Sequence, residues 1–276
     1  MIKLKLKQFN IKTIAESGQV FRLVIKNDSL CSLIYLNKYL EIKILNNNEY
    51  LLSCTKEEWN NIYKDYFDYN NNYEKYEKIC NKEDVFLKKC IEYGSGLRIL
   101  NQNKFETIIS FIISQRKSVN AIRTSIERLC KICNKKHHFI SPFTNEKITY
   151  YSFPSAKDIY LLKDENLNSC GLGYRKEYIK LFCKEVVEKK INFDKLNKLS
   201  DKQLIDFFMS FKGIGIKVAS CIALFSYHRL SICPIDVWIE RVINKEYNGK
   251  IPKSYNEYLG LIQQYWFNYA RLQKLK

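Results

Sequence analysis

The chain has 276 residues, 46% of them hydrophobic, which excludes an intrinsically disordered protein and allows one large domain or two modest ones. A formal net charge of +17 favours a polyanionic partner, nucleic acid before an anionic membrane surface. Because the sequence shows neither a long apolar run nor a signal-peptide core, we expect no membrane span, and the ten cysteines should be reduced thiols of an intracellular protein.

The first part of the chain alternates with a period of two, which is typical of strands half-buried on one face. In MIKLKLK, apolar residues alternate with lysines, and QVFRLVIK, LCSLIYL and LEIKIL continue as strands. Turn signals at 27–28 and 46–48 separate these segments. We therefore expect residues 1–55 to form a small antiparallel sheet.

Helical spacing replaces the strand pattern at TKEEW, and a connection rich in Tyr and Asn follows. From Asp84 onwards apolar residues recur at helical spacing between breaks of Gly, Pro, Asn or Ser. The fold class is α+β, with an N-terminal antiparallel sheet domain over 1–80 and a helical domain over 81–276. The predicted helices span 84–93, 103–114, 118–133, 155–160, 175–190, 201–210, 216–227, 236–245 and 255–272.

The segment FKGIGIKVASC predicts a helix, a tight turn and a second helix. Gly213 and Gly215 can both take a positive φ and leave the backbone uncovered. The first N–H groups of the second helix then face outwards, as in sites that bind a nucleic-acid phosphate. A purely structural turn is the alternative for a Gly-x-Gly pair.

Lys217 follows this turn within an otherwise apolar helix and shares a face with Cys221, four residues later. Desolvation and the positive end of the helix dipole both disfavour the ammonium, so we expect a lowered pKa and a nucleophilic amine. The alternative is a lysine that extends its ammonium to water or binds a phosphate.

Asp236 lies nineteen residues after Lys217, in CPIDVW, directly before another helix. This position predicts an N-cap. A carboxylate held at an N-cap stays ionised and can stabilise a developing positive charge, so a structural and a catalytic role are compatible.

A helix, KGIGIK, a second helix and then PID resemble the helix-hairpin-helix superfamily of base-excision DNA glycosylases, with the motif at 203–227. Further segments in matching order are similar to the 8-oxoguanine DNA glycosylase/lyase family: SGQVFR, FIISQRKSVNAI, FPSAKDI, CGLGYRKEYI and GLIQQYWFNYARLQ. The resemblance implies a monomeric, DNA-associated enzyme that acts on double-stranded DNA containing 8-oxoguanine and needs no cofactor. The iron–sulfur cluster of related glycosylases needs four cysteines after the aspartate, and none follows Cys233.

The resemblance also implies the catalytic roles. Lys217 would attack C1′ of the damaged nucleoside, expel the base and hold the sugar as a Schiff base, after which β-elimination releases the 3′ phosphate. Asp236 would stabilise the cationic sugar and orient the amine. Both roles suit a nucleotide that is flipped out of the duplex.

For base recognition the resemblance implies four residues. The carbonyl of Gly18 would accept the N7–H of 8-oxoguanine and repel the N7 acceptor of guanine. Gln263 would pair with the Watson–Crick edge, and Phe267, one helical turn later, would stack on the base. Cys221 would cover the other side of the base.

For DNA binding the resemblance implies that the backbone at Gly213 and Gly215 holds a phosphate. Tyr174 would enter the stack as a wedge, and Arg175 would bond the orphaned cytosine. A loop tyrosine packed on the helical bundle is the alternative for Tyr174.

The chain departs from the family in the same region. Gln115 and Arg116 stand in place of an Asn-rich motif that fills the gap opposite the flipped base, and the resemblance implies that they contact DNA there. Ala121 replaces an arginine, and Trp238 replaces a histidine, which removes a phosphate contact that the resemblance would imply. With one cytosine-reading arginine missing, we expect weaker discrimination for cytosine opposite the lesion.

Three alternatives remain. Cys130, Cys133, His137 and His138 have zinc-like spacing, but no second ligand pair is evident, so we expect no metal site. A glycosylase for alkylated bases is less compatible with Lys217, since monofunctional members of the superfamily lack this lysine. A non-catalytic DNA-binding module would leave Asp236 and the Gly18 segment without a role.

Overall fold

The N-terminal part is an antiparallel sheet with strand order β1-β5-β4-β3-β2. The computed structural model describes residues 1–46, 48–77 and 84–273. The strands span Ile2–Lys5 (β1), Leu23–Asn27 (β2), Leu30–Tyr35 (β3), Lys38–Asn46 (β4) and Glu49–Leu52 (β5). The sequence predicts β1 to β4 but not β5, which is only four residues long and ends on two consecutive leucines instead of alternating.

A short helix, α1 (Ile11–Glu16), connects β1 and β2 and was not predicted. Asn10 caps it by accepting hydrogen bonds from the N–H groups of Lys12 and Thr13 at 3.1 and 3.2 Å. Six residues carry too little periodicity for a helix to be recognised. This helix matters for function because the chain leaves it directly into Ser17 and Gly18.

The remaining chain is mainly helical, as predicted, and the α+β fold class is confirmed. All nine predicted helices are present, the last one beginning with a 3-10 turn over Lys253–Tyr258. The predicted domain boundary after residue 80 lies outside the described residues. The helices span Lys56–Glu58 (α2), Lys64–Tyr66 (α3, after a π-helical turn over Trp59–Tyr63), Glu74–Glu77 (α4), Val85–Tyr93 (α5), Lys104–Ser114 (α6), Val119–Cys133 (α7), Ala156–Tyr160 (α8), Asp164–Ser169 (α9), Arg175–Val187 (α10), Phe193–Leu196 (α11), Asp201–Met209 (α12), Ile216–Tyr227 (α13), Val237–Glu246 (α14) and Leu259–Leu272 (α15).

A second sheet, the hairpin of β6 (Lys136–Ile140) and β7 (Lys147–Tyr151), interrupts the helices and corrects the expectation of helices alone. It packs against the first sheet, where the rings of Tyr39 and Tyr150 lie 5.3 Å apart. Ser141 Oγ donates to the carboxylate of Glu41 at 2.6 Å. The burial of β6 alternates along the strand, but its sequence KHHFI has three polar residues followed by two apolar ones, so no period-two pattern predicts it.

Each part has its own hydrophobic core. One cluster fills the space under the first sheet and includes Phe9, Ile11 and Trp59. The other lies among the helices and includes Phe111, Cys221 and Trp266. Within the described part of the chain, no helix combines the length and the apolarity that a bilayer crossing requires.

Candidate active site

A cleft of about 940 Å³ opens where the end of α1, the α6–α7 loop and the helices α13, α14 and α15 converge. It collects predicted site residues from five separate segments of the chain. Those that line it are Gly18, Gln115, Arg116, Lys217, Asp236 and Phe267. The fold therefore brings both predicted catalytic residues and two of the four predicted base contacts to one opening.

The two glycines in the turn between α12 and α13 differ in backbone conformation and in the space around them. Gly213 has a φ of +85°, as predicted, and a Cβ there would lie 2.1 Å from the Tyr178 ring. Gly215 has a φ of −88° and forms the N-cap of α13, so the prediction of a positive φ is wrong at this position. A Cβ on Gly215 would meet open space. Because α13 has no side-chain cap, its first N–H groups are left for solvent or a ligand on that open side.

This contrast gives a matched pair of variants. Gly213→Ala should lower the free energy of unfolding by about 2 to 4 kcal/mol, since it adds a strained positive φ to a clash with Tyr178. Gly215→Ala should change it by less than about 1 kcal/mol. Urea denaturation followed by circular dichroism measures both, and equal effects would contradict the distinct roles of the two glycines.

Lys217 lies in the first turn of α13, half-buried, with its Nζ 5.8 Å from the centre of the Phe111 ring. Its amine is close enough to Cys221, on the shared helix face, for the two groups to influence each other's pKa. The pKa of Lys217 is raised, mainly by Cys221 and further by Asp236, and these two effects outweigh the desolvation that acts against the charge. The expected lowering of this pKa is therefore wrong, because the expectation did not include the effects of Cys221 and Asp236 on the amine.

Cys221 itself is buried, and desolvation raises the pKa of its thiol. The adjacent Lys217 acts in the opposite direction but does not reverse the shift. Lys217 and Cys221 therefore form a coupled pair, in which the charge of each group favours the charge of the other. This arrangement holds the amine in place and keeps it protonated until a reaction removes the proton.

Asp236 is the N-cap of α14, as predicted. Its Oδ1 accepts hydrogen bonds from the N–H groups of Trp238 and Ile239, both at 3.0 Å. The carboxylate is thereby fixed on the rim of the cleft, close enough to Lys217 to raise the pKa of the amine. A rigid negative charge beside the amine can stabilise a cation that forms between the two.

The predicted base contacts are only partly exposed to the cleft. Gly18 has a φ of +76°, and a Cβ on it would lie 2.9 Å from the Phe267 ring, so ring and glycine are in direct contact. Cys221 and Gln263 are each 3% exposed and lie behind the lining. The side-chain amide of Gln264 donates to Gln263 Oε1 at 3.0 Å.

The predicted DNA-contacting loops lie together beside the cleft. Tyr174 is 47% exposed, with the Arg175 guanidinium 4.5 Å from its ring centre, which suits a wedge better than a packed loop residue. Arg175 is only 7% exposed and donates to the carbonyls of Gln115 and Leu172 at 2.9 and 3.2 Å. Its contact with an orphaned cytosine stays a prediction, and it would require these bonds to break. Arg116 is exposed with a left-handed φ of +51°, so the loop tip presents a guanidinium to solvent.

Several cleft residues were not predicted as site residues. Phe111, Arg123 and Arg271 all line the opening. Arg271 follows Phe267 by four residues, so helical periodicity could have placed it on the same face. Phe111 and Arg123 carry no such signal, because only the tertiary fold brings α6 and α7 to the cleft.

The zinc-like spacing does not produce a cluster. In residues 1–46, 48–77 and 84–273, no three His, Cys, Asp or Glu side chains converge as a metal site. Cys130 is buried in the helical core, whereas His137 contacts Ser152 Oγ at 3.2 Å and His138 contacts Thr149 Oγ1 at 3.2 Å on the β6–β7 hairpin. The cysteines of the described part are all free thiols.

Two family models match the chain in succession. Residues 1–108 match the N-terminal domain of 8-oxoguanine DNA glycosylase. Residues 109–266 match the HhH-GPD superfamily of base excision DNA repair proteins. The chain belongs to this superfamily. The predicted helix-hairpin-helix resemblance is thereby confirmed.

Individual members of the superfamily are similar along much of the chain. A probable N-glycosylase/DNA lyase of Methanothermobacter thermautotrophicus is 27% identical over 68% of this chain and 68% of that protein. The N-glycosylase/DNA lyase of Saccharomyces cerevisiae is 30% identical over 58% of this chain and 44% of the yeast enzyme. The solved structure of Clostridium acetobutylicum 8-oxoguanine glycosylase/lyase, in complex with double-stranded DNA containing cytosine opposite 8-oxoG, is 26% identical with a TM-score of 0.87, over 98% of this chain and 94% of that one. This HhH-GPD protein is a base excision repair N-glycosylase/DNA lyase, and DNA is its partner.

Proposed function

We propose that this enzyme excises 8-oxoguanine from double-stranded DNA and cleaves the resulting abasic strand by β-elimination. The observation that carries the proposal is one cleft that joins Lys217 and Asp236 to the Gly18 loop. The match of residues 1–108 to the N-terminal domain of 8-oxoguanine DNA glycosylase supports the same substrate. The enzyme acts as a monomer without a cofactor.

The chemistry starts at Lys217. Its amine, once deprotonated, attacks C1′ of the flipped nucleotide, and the C1′–N9 bond breaks as the base leaves with the bonding electrons and takes up a proton. The carboxylate of Asp236 stabilises the positive charge that develops on the sugar. The C1′–O4′ bond then breaks, and O4′ takes up a proton as the amine loses one, which leaves a Schiff base between Lys217 and C1′. Loss of a C2′ proton then expels the 3′ phosphate, and hydrolysis frees Lys217.

Recognition depends on the hydrogen at N7. 8-Oxoguanine donates this hydrogen to the carbonyl of Gly18, whereas N7 of guanine is an acceptor and is repelled there. Phe267 moves off Gly18 to stack on the base, and Gln263 pairs with its Watson–Crick edge. Because this carbonyl stays unpaired when guanine enters, one atom can produce strong selectivity.

The DNA is held around this pocket. The open side of Gly215 and the first N–H groups of α13 bind a phosphate, while Gly213 shapes the turn against Tyr178. Tyr174 enters the stack next to the flipped nucleotide. Gln115, Arg116 and Arg175 face the opposite strand.

Single-turnover excision from three duplexes tests this function. The duplexes carry one 8-oxoguanine, one guanine or one 3-methyladenine in the same sequence, and both base release and strand cleavage are measured. We expect release and cleavage only with 8-oxoguanine. Preferential release of 3-methyladenine would indicate an alkylated-base glycosylase, and binding without release would indicate a non-catalytic module. Varying the base opposite 8-oxoguanine tests the weak cytosine preference expected from Ala121.

The raised pKa of Lys217 predicts the pH dependence of strand cleavage at a preformed abasic site. A lysine with a raised pKa is charged at neutral pH, and only the neutral amine attacks, so the rate should increase about tenfold per pH unit across the neutral range. Cys221→Ala removes the largest cause of the raised pKa and should move the profile to lower pH. A profile that stays in place or moves to higher pH would contradict this account of the pair.

A further inference from the structure

The C-terminal end of α1 is held by two arginines from distant helices. Arg123 of α7 donates through Nη2 to the carbonyls of Ala15 and Leu23 at 3.0 and 3.3 Å. Arg271 of α15 donates through Nη2 to the carbonyl of Glu16. The last carbonyls of a helix have no partner within the helix, and a cation there also interacts favourably with the negative end of the helix dipole.

On the C-terminal side of Gly18, the loop is held by the side chain of Gln19. Gln19 is fully buried, and its amide donates to the carbonyl of Arg98 at 2.8 Å and accepts from the N–H of Leu100 at 2.8 Å. Gly18 therefore lies between an anchor at Gln19 and an anchor at Glu16, with its φ in the left-handed region. A glycine is otherwise free to rotate, so the direction of its carbonyl depends on these two anchors.

The same arginines lie beside the predicted stacking residue. The guanidinium of Arg271 is 5.6 Å from the centre of the Phe267 ring, and that ring contacts Gly18. Arg123 and Arg271 are close enough that the charge of Arg271, after desolvation, lowers the pKa of Arg123. Glu16 offsets part of this repulsion for both. The guanidinium groups of Arg123 and Arg271 are thus held close together, despite their like charge and partial desolvation, at the end of α1 next to the Gly18 loop.

We infer that Arg123 and Arg271 are positioning residues that aim the carbonyl of Gly18, and that they thereby set the discrimination between 8-oxoguanine and guanine. This inference rests on the proposed function. The two bases differ at N7 by a donor against an acceptor, so a carbonyl that swings away loses both the attraction and the repulsion. The chemistry at Lys217 does not involve this carbonyl. Loss of the anchors should therefore affect base selection and leave cleavage of an abasic site intact.

The test uses Arg123→Met and Arg271→Met, which keep the length of the apolar stem but remove the donors. Discrimination is measured in a Lys217→Gln background, as the ratio of the Kd for a duplex with guanine to the Kd for the same duplex with 8-oxoguanine. Abasic-site cleavage is measured with Lys217 intact. Arg128→Met is the matched control, because Arg128 is an exposed arginine on the same helix as Arg123.

We expect each variant to lower the discrimination ratio about tenfold or more, with abasic-site cleavage within about twofold of the parent, while Arg128→Met leaves both unchanged. Arg271→Lys, which retains one donor, should recover part of the loss. An unchanged ratio in both variants would overturn the inference, and so would an equal loss of abasic-site cleavage, which would indicate a general role in folding or chemistry. If the Lys217→Gln protein with both arginines intact bound the two duplexes equally, the proposed function would fail together with the inference.

Discussion

Lys217→Gln should abolish the covalent adduct that borohydride traps between the enzyme and 8-oxoguanine DNA, and should slow strand cleavage by at least about a thousandfold. Glutamine has a similar length and keeps a polar end, but its amide nitrogen cannot form a Schiff base. The helix should tolerate the change, because Lys217 is only half-buried and sits in the first turn of α13. Removal of the ammonium also removes its interaction with Cys221 without creating a buried charge.

The control for this variant is Lys212→Gln, the same substitution at an exposed lysine in the turn that precedes α13. It should retain the adduct, which separates the loss of the nucleophile from the loss of one positive charge near DNA. Duplex binding by Lys217→Gln, measured by fluorescence anisotropy, should stay within a few fold of the parent. An adduct of normal yield in Lys217→Gln would remove this lysine from its proposed role.

Asp236→Asn should slow base excision about a hundredfold to a thousandfold and leave DNA affinity largely intact. Asparagine is as good an N-cap as aspartate, so the hydrogen bonds to Trp238 and Ile239 can persist while the charge is lost. The effect on rate then reports electrostatic stabilisation of the sugar cation rather than the fold of α14. Single-turnover kinetics on 8-oxoguanine DNA give the rate, and thermal unfolding gives the stability.

Asp236→Ala provides the comparison. It removes the cap as well as the charge and should lower stability by about 1 kcal/mol in addition to slowing excision. If Asp236→Asn excised 8-oxoguanine at the parent rate, the carboxylate would be a cap only.

Local sequence patterns were sufficient for the elements whose periodicity is long. The nine predicted helices and the N-cap at Asp236 follow from apolar spacing and a capping residue, both of which are local properties, whereas the short helices α9 and α11 were not predicted. The strand β5 and the helix α1 were missed because each is shorter than the window in which a period can be recognised. The β6–β7 hairpin is stabilised by Tyr39 and Glu41 of the other sheet, which no local pattern contains.

The site shows the same division between local and tertiary information. The pairing of Lys217 with Cys221 follows from their spacing on one helix, but the raised pKa depends also on Asp236, which only the fold brings near. The two glycines of the turn look equivalent in sequence, yet only Gly213 faces a ring, that of Tyr178. Arg175 has a motif that implies DNA contact, but its donors bind the carbonyl of Gln115, a neighbour sixty residues away.

The central claim is that one amine, on Lys217, forms the covalent intermediate with the damaged nucleotide. Borohydride trapping on a duplex with a single 8-oxoguanine, followed by nuclease and protease digestion and peptide mass spectrometry, measures which amine carries the sugar. We predict that the modified peptide contains the reduced adduct at Lys217. A sugar adduct at any other lysine or at the N-terminal amine, with Lys217 unmodified, would contradict the account.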